Sequence, residues 1–274
     1  MSQPLWIVEL LKRNFRFRFL GAEMTKWPLI DRVMERALFN GQGTGDALFY
    51  LPKDRVVIDQ KIEPGESQAV PSAVVTHFIE EANHIFLMDK CLCREAADCQ
   101  DYEHDIGCIF LGEAVLEINP KLGRLVEKDA ALAHVKRARE AGLVHLIGRD
   151  KMDSVWLGAK QSNKLMTICN CCSCCCLFKF LPNLAPKLQK KIERMPWVNI
   201  EVTEECSGCG ICAEDICFID AIHLENGRAV ISEDCRGCGN CADVCPQGAI
   251  KIVIEREDYI ENAIQRLSQT VDVR

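Results

Sequence analysis

No apolar run in this 274-residue sequence approaches the roughly 18 residues that a membrane-spanning helix requires, so no membrane span is expected. The short apolar stretch near the start, Leu5 to Leu11, is followed by Lys12, Arg13, Arg16 and Arg18 where a secretory signal would place small residues and a cleavage site. Met1 to Glu23 is therefore not read as such a signal. There is no excess of base: 33 Lys and Arg stand against 40 Asp and Glu, a net charge of −7, and no nucleic-acid partner is expected. Nucleotide loops are missing as well. No GxxxxGK followed by Ser or Thr occurs, and Gly41-Gln42-Gly43-Thr44-Gly45 follows a helical stretch, Leu29 to Leu38, instead of a strand, so it reads as a plain loop. Without a flavin or nicotinamide motif, nothing here converts hydride into single electrons.

Cysteine is absent from Met1 to Lys90, yet the chain carries 18 of them. They fall into a group of four (Cys91, Cys93, Cys99, Cys108), a group of six within eight residues (Cys169, Cys171, Cys172, Cys174, Cys175, Cys176) and a group of eight between Cys206 and Cys245. A cysteine-dense chain without an export signal points to metal more than to disulfides, because a cytoplasm keeps thiols reduced; a cytoplasmic location is the expectation. Free thiols in such numbers would be an oxidation hazard.

The last group is an internal repeat. Cys206, Cys209 and Cys212 stand at C-x2-C-x2-C with Cys217 beyond; Cys235, Cys238 and Cys241 repeat the spacing, with Cys245 and Pro246 beyond, and Ala221-Ile222 matches Ala249-Ile250. From about Trp197 to Glu255 the chain resembles the bacterial two-cluster ferredoxins. A [4Fe-4S] cube needs four thiolates from different directions; a loop with a Cys every third residue supplies three, and a distant segment supplies the fourth. The expected sets are Cys206, Cys209, Cys212 and Cys245 for one cube, and Cys235, Cys238, Cys241 and Cys217 for the other. The first run has one residue more before Cys217 than the family pattern, and Phe218 replaces the following Pro, so a bulge in the short helix after Cys212 is expected. Zinc ribbons would show two CxxC pairs per ion without the third Cys of each run. Trp197 to Arg256 holds 11 acidic and 4 basic residues, so the whole net charge of −7 sits on this module. An acidic face of this kind suits docking to a basic redox partner protein.

The other ten cysteines fit no zinc-finger spacing. If Cys171 to Cys176 is extended, Cys172, Cys174 and Cys176 share one face and Cys171 and Cys175 the other; an extended Cys91 to Arg94 would put Cys91 and Cys93 on one face. Pro71 to Met88 reads as a helix leading into Cys91, Asp129 to Ala141 as a second helix stopped by Gly142, and Leu143 to Ile147 as a strand. The CxCR segment, the GLVH after a helix and the ICNCCSCCC run make Tyr50 to Phe178 similar to the N-terminal halves fused to ferredoxin modules in anaerobe iron-sulfur proteins. That resemblance implies at least one further iron-sulfur cluster. Cys93, Cys99, Cys108 and Cys171 are its first candidate ligands, with Cys91, Cys169, Cys172, Cys174, Cys175 and Cys176 also counted as cofactor-binding. His145 is read as a core histidine in preference to a ligand or proton relay. Phe15 to Phe19 alternates as a strand would.

The expected fold is α+β: a mainly helical, cysteine-rich domain over 1–176, a basic linker over 177–196, a ferredoxin-like module with a pseudo-twofold repeat over 197–256, and a C-terminal amphipathic helix over 257–274. The expected function is single-electron transfer through several [4Fe-4S] clusters, to or from a partner oxidoreductase or as a subunit of one, and not stand-alone catalysis. The alternative is an iron-sulfur reductase or reductive activator with its active centre in the cysteine-rich half.

Overall fold

The computed structural model describes residues 3–38, 47–54, 56–58 and 71–274; the Gly41–Gly45 loop lies outside them. The strands are β1 (Ala47–Tyr50), β2 (Val56–Ile58), β3 (Ile85–Met88), β4 (Ile109–Leu111), β5 (Gly123–Leu125), β6 (Val144–Arg149), β7 (Met166–Cys171), β8 (Ile192–Arg194), β9 (Val198–Val202), β10 (Ile222–Glu225), β11 (Arg228–Ile231) and β12 (Ile250–Ile254). The helices are α1 (Leu5–Asn14), α2 (Arg18–Met24), α3 (Pro28–Leu38), α4 (Ser72–Glu81), α5 (Leu92–Ala96), α6 (Lys128–Glu140), α7 (Lys151–Leu157), α8 (Pro186–Gln189), α9 (Asn240–Asp243) and α10 (Tyr259–Ser268).

A seven-stranded sheet in the order β5-β3-β4-β7-β6-β1-β8 forms the centre, antiparallel except for the β1–β8 pair. Its strands β3 and β4 are buried throughout, as the runs IFLM and IFL require of strands covered on both faces. One face packs against Val74, Val75, Phe78 and Ile79 of α4, Ala131 and Val135 of α6, and Ala263 and Leu267 of α10. On the other face Tyr50, Val144 and Leu146 meet Cys171, Cys176, Phe178 and Phe180. Because alternate residues of a strand share a face, Cys169 and Cys171 of β7 stand beside their register partners Leu146 and Val144, away from the helices.

The ferredoxin-like part holds the hairpin β10–β11 and a three-stranded sheet β2-β12-β9. Val198–Val202 (β9) pairs antiparallel with β12, and β2 extends that sheet from far up the chain.

Several expectations change. The N-terminal part has many helices, as expected, but also strands of a central sheet that was not expected. Ser72–Glu81 is a helix as read, but Ala82 turns extended and Ile85–Met88 is a strand; a four-residue apolar run has no period that separates the two, and pairing with β4 and β5 decides it. Phe15–Phe17 is a 3-10 turn leading into α2, because Arg18 covers the rings of Phe15 and Phe19 at 4.2 and 4.3 Å, contacts available at helical spacing. Leu92–Ala96 is helical, not extended. The stretch read as a basic linker is folded in: Leu181, Leu184, Leu188 and Met195 are buried and Ile192–Arg194 joins the sheet. The second helix, Lys128–Glu140, stops at Gly142 with φ +77° as read.

Candidate metal centres

The eight C-terminal cysteines surround two separate cavities in crossed sets. One is lined by Cys206, Cys209, Cys212 and Cys245, the other by Cys217, Cys235, Cys238 and Cys241. The crossing follows from local structure. Each C-x2-C-x2-C run wraps its own cavity through left-handed glycines, Gly208 and Gly210 in the first and Gly237 and Gly239 in the second. The short turn or helix after each third Cys then carries the fourth thiol across. In the first run this is a 3-10 turn, Ile211–Ala213, and Asp215 takes φ +57° to absorb the additional residue before Cys217. The second run, without that residue, forms the helix α9.

Backbone N–H groups aim at the thiols. Ala229 donates to Cys206 Sγ at 3.5 Å, Gly237 to Cys235 at 3.4 Å, Ala221 to Cys217 at 3.3 Å and Ala249 to Cys245 at 3.3 Å. The N–H groups of Ala229 and Gly208 hold the Cys206 thiol below its ordinary value. Burial pushes Cys238 up to about 12 and Cys241 higher still, so those thiols ionise only beside a cation.

The middle cysteines also form two sets, divided differently from the alternating pattern expected of an extended run. Cys91, Cys93, Cys108, Cys169, Cys171 and Cys176, together with Cys172, line a third cavity. Cys99, Cys172, Cys174 and Cys175 come together in a tight group, with every Sγ within 4.8 Å of the others. The strand ends at Cys171, and the turn that follows swings Cys172, Cys174 and Cys175 to one side while Cys176 returns to the other. Of the four first candidates, Cys93, Cys108 and Cys171 therefore meet, whereas Cys99 stands in the other group.

Of three residues that sequence reasoning did not single out, Arg94 and Asp153 line the third cavity and Tyr50 lines the second. Arg94 is fully buried; its Nη1 donates to the carbonyl of Asn170 at 2.9 Å and its Nη2 to that of Ile106, and the charges facing it are the thiols of Cys91, Cys172 and Cys108. A buried guanidinium needs an anion, so this placement calls for ionised sulfur. The Cys93 thiol and Arg94 hold Cys91 down at about 6. Asp153 receives Trp156 Nε1 at 2.8 Å and Thr167 Oγ1 at 2.7 Å, and burial raises its carboxyl. Tyr50, one of three tyrosines in the chain, lies between the second and third cavities: its ring is 5.3 Å from that of Phe218, and its pKa is driven well up by burial and by Cys176, Cys171, Cys238 and Cys217. The Tyr50 hydroxyl is buried without a partner. The Arg within CxCR was a legible signal; nothing in the sequence marked Tyr50. His145, read as a core histidine, is buried with Nδ1 2.9 Å from Asn170 Oδ1.

The donor sets suit iron-sulfur clusters. In the two C-terminal cavities the side chains suited to a metal are thiols, glycines form a cradle that a Cβ would fill, and Tyr50, with its orphaned hydroxyl, lines one of them. Residues 229–251, which hold Cys235, Cys238, Cys241 and Cys245, match the 4Fe-4S binding domain family. No curated protein and no solved structure matches the chain. The chain is thus a mixed α and β iron-sulfur protein with a 4Fe-4S binding domain. Among the described residues no helix is long and apolar enough to cross a membrane.

Proposed function

We propose that the protein is an electron carrier with two [4Fe-4S] clusters in its C-terminal part, one held by Cys206, Cys209, Cys212 and Cys245 and one by Cys217, Cys235, Cys238 and Cys241, and a third cluster held from among Cys91, Cys93, Cys108, Cys169, Cys171 and Cys176. The observation that carries this reading is the pair of crossed four-thiol cavities, the second of which is joined to the six-thiol cavity by a single apolar cluster that contains Tyr50, Phe218, Cys171 and Cys176 and packs on Cys217, Cys235 and Cys238. Bound clusters supply one-electron chemistry at low potential. The residues hold the thiolates, exclude water and aim N–H donors at sulfur, and the Tyr50–Phe218 pair fills the space between the second and third sites. Cys209 is exposed, with Ile211 and Leu224 exposed beside it and the Glu204 and Asp215 side chains almost fully in solvent. This rim is the docking face for a basic redox partner.

The test is Cys245→Ser in the full chain. It is expected to perturb the EPR signal of the cluster on Cys206, Cys209 and Cys212 and to leave the signal of the other C-terminal cluster in place. Loss of the signal from Cys235, Cys238 and Cys241 alone would mean local, uncrossed ligation and overturn the proposal.

One observation favours a second reading, a reductase. Asp153 lines the six-thiol cavity with its carboxyl raised, as a proton donor beside a redox centre would be. A reductase keeps an iron position open, so carbon monoxide or cyanide would shift the EPR signal of the third cluster; a carrier's signals stay unchanged.

A further inference from the structure

The four thiols of Cys99, Cys172, Cys174 and Cys175, of which Cys172 also borders the third cavity, form the tightest four-thiol group among the described residues. Their Sγ atoms all lie within 4.8 Å of one another, and Cys99 and Cys174 are 3.6 Å apart. Among the described residues, no other group of three or more His, Cys, Asp or Glu is found this close. A single tetrahedral ion with metal–sulfur bonds of about 2.3 Å sets its ligand sulfurs roughly 3.8 Å apart. A [4Fe-4S] cube puts iron and sulfide between the thiolates and spreads them to roughly 6 Å. The observed spacing fits the ion and leaves no room for the cube.

The surroundings support a closed site. Cys99 and Cys172 are buried against Ile106, Ala138 and Leu143, with Tyr102 packed on the rim. Four thiolates around a divalent ion carry a net charge of −2, and the buried Arg94 guanidinium, whose charge faces the Cys172 thiol, offsets part of it. The loop bearing Cys99 is itself closed, since Cys99 N–H donates to the Arg94 carbonyl at 3.0 Å and His104 Nε2 meets the Cys99 carbonyl at 2.9 Å.

We propose that Cys99, Cys172, Cys174 and Cys175 bind one thiophilic divalent ion, zinc or ferrous iron, as a tetrathiolate site distinct from any iron-sulfur cluster. The ion ties the loop at Cys99 to the turn at 172–175. That turn is flanked by Cys171 and Cys176, so the clip fixes the direction of two thiols of the six-thiol cavity. Through Arg94 it also steadies Cys91. The ion's role is structural, because all four positions are filled by protein. The ligand set stands whether or not the neighbouring cavity holds a cluster.

The experiment uses the full chain, purified anaerobically with its clusters, with zinc, iron and labile sulfide measured per chain. One zinc per chain, or one iron in excess of sulfide, is expected; the first identifies zinc and the second ferrous iron. Protein produced with cobalt supplied should show the visible bands of tetrahedral Co(II) thiolate. Cys175→Ser, at a half-buried position, should lose that ion and the cobalt bands while keeping both C-terminal EPR signals, which also shows that the variant is folded. Loss of four irons and four sulfides in Cys175→Ser would make the site a cube and overturn the proposal. So would unmodified protein that lacks the additional ion and whose four thiols are alkylated by iodoacetamide. A chain with zinc but no labile sulfide would sustain this site while overturning the electron-carrier reading.

Discussion

Alanine at Gly208 should dismantle one thiol cradle and spare the other. Gly208 has φ +68°, and a Cβ there would stand 2.0 Å from the carbonyl oxygen of Gly227, in the turn between β10 and β11. Gly210 has φ +85°, but its Cβ would meet the Cδ1 methyl of Leu224 at 3.4 Å, and Gly227 with φ +76° has nothing within 4 Å. All three substitutions share the left-handed penalty of about 1–2 kcal/mol. At Gly208 the obstacle is backbone, so the hairpin turn must retreat by about 1.5 Å to restore van der Waals separation. That movement pulls Ala229 N–H off Cys206 Sγ and Arg228 off the Val202 carbonyl. The total cost is about 3–5 kcal/mol, concentrated on one site. Anaerobic urea unfolding with EPR of the reduced protein checks this. Gly210→Ala and Gly227→Ala are expected to lose about 1–2 kcal/mol and keep both C-terminal signals, whereas Gly208→Ala loses the signal of the cluster on Cys206, Cys209, Cys212 and Cys245. Equal effects at Gly208 and Gly210 would refute the reasoning, as would loss of both signals together.

Tyr50→Phe removes the one unpartnered hydroxyl lining the second cavity, and with it a donor that strengthens as the cluster gains an electron; the potential of the cluster on Cys217, Cys235, Cys238 and Cys241 should fall by about 20–60 mV in a redox titration, and an unchanged potential would remove Tyr50 from that role. Burial holds His145 at about 4, below its ordinary 6.5, so the unfolded chain takes up the proton first: the stability present above pH 6.5 is lost as pH falls toward 4, about 3 kcal/mol in all. Between about pH 7.5 and 5.5 the unmodified protein should therefore lose roughly 1 kcal/mol more than His145→Gln in anaerobic denaturant titrations, and equal losses would count against a buried neutral ring. Electron transfer to a basic acceptor should slow as salt rises, because the proposed docking face is acidic; a salt-independent rate would place docking elsewhere.

The C-terminal site was legible because its spacing is chemical: thiols every third residue, glycines between them, and a fourth thiol that has to arrive from the other run. The residue inserted before Cys217 was also legible as a bulge, and Asp215 at φ +57° is where it is absorbed. The N-terminal fold was not. IFLM has no period that separates helix from strand, and FRFRF alternates on paper while Arg18 draws it into a helical turn. The pairing that settles such runs is long-range: β1 joins β6 and β8, and β2 joins β12. Adjacent cysteines from 171 to 176 left their directions open, since strand alternation holds only to Cys171 and the turn beyond it sorts the rest. Arg94 could be read as a cation beside thiols, but its burial at the junction of two sulfur sites is a property of the packed chain.

Iron and acid-labile sulfide, counted per chain in anaerobically purified protein, bear most directly on the central claim. About 12 iron and 12 sulfide are expected, from three cubes of four irons each, with any further metal unaccompanied by sulfide. Eight of each, with Cys91, Cys93, Cys108, Cys169, Cys171 and Cys176 titrating as free thiols, would remove the third cluster, and a chain without labile sulfide would contradict the iron-sulfur carrier altogether.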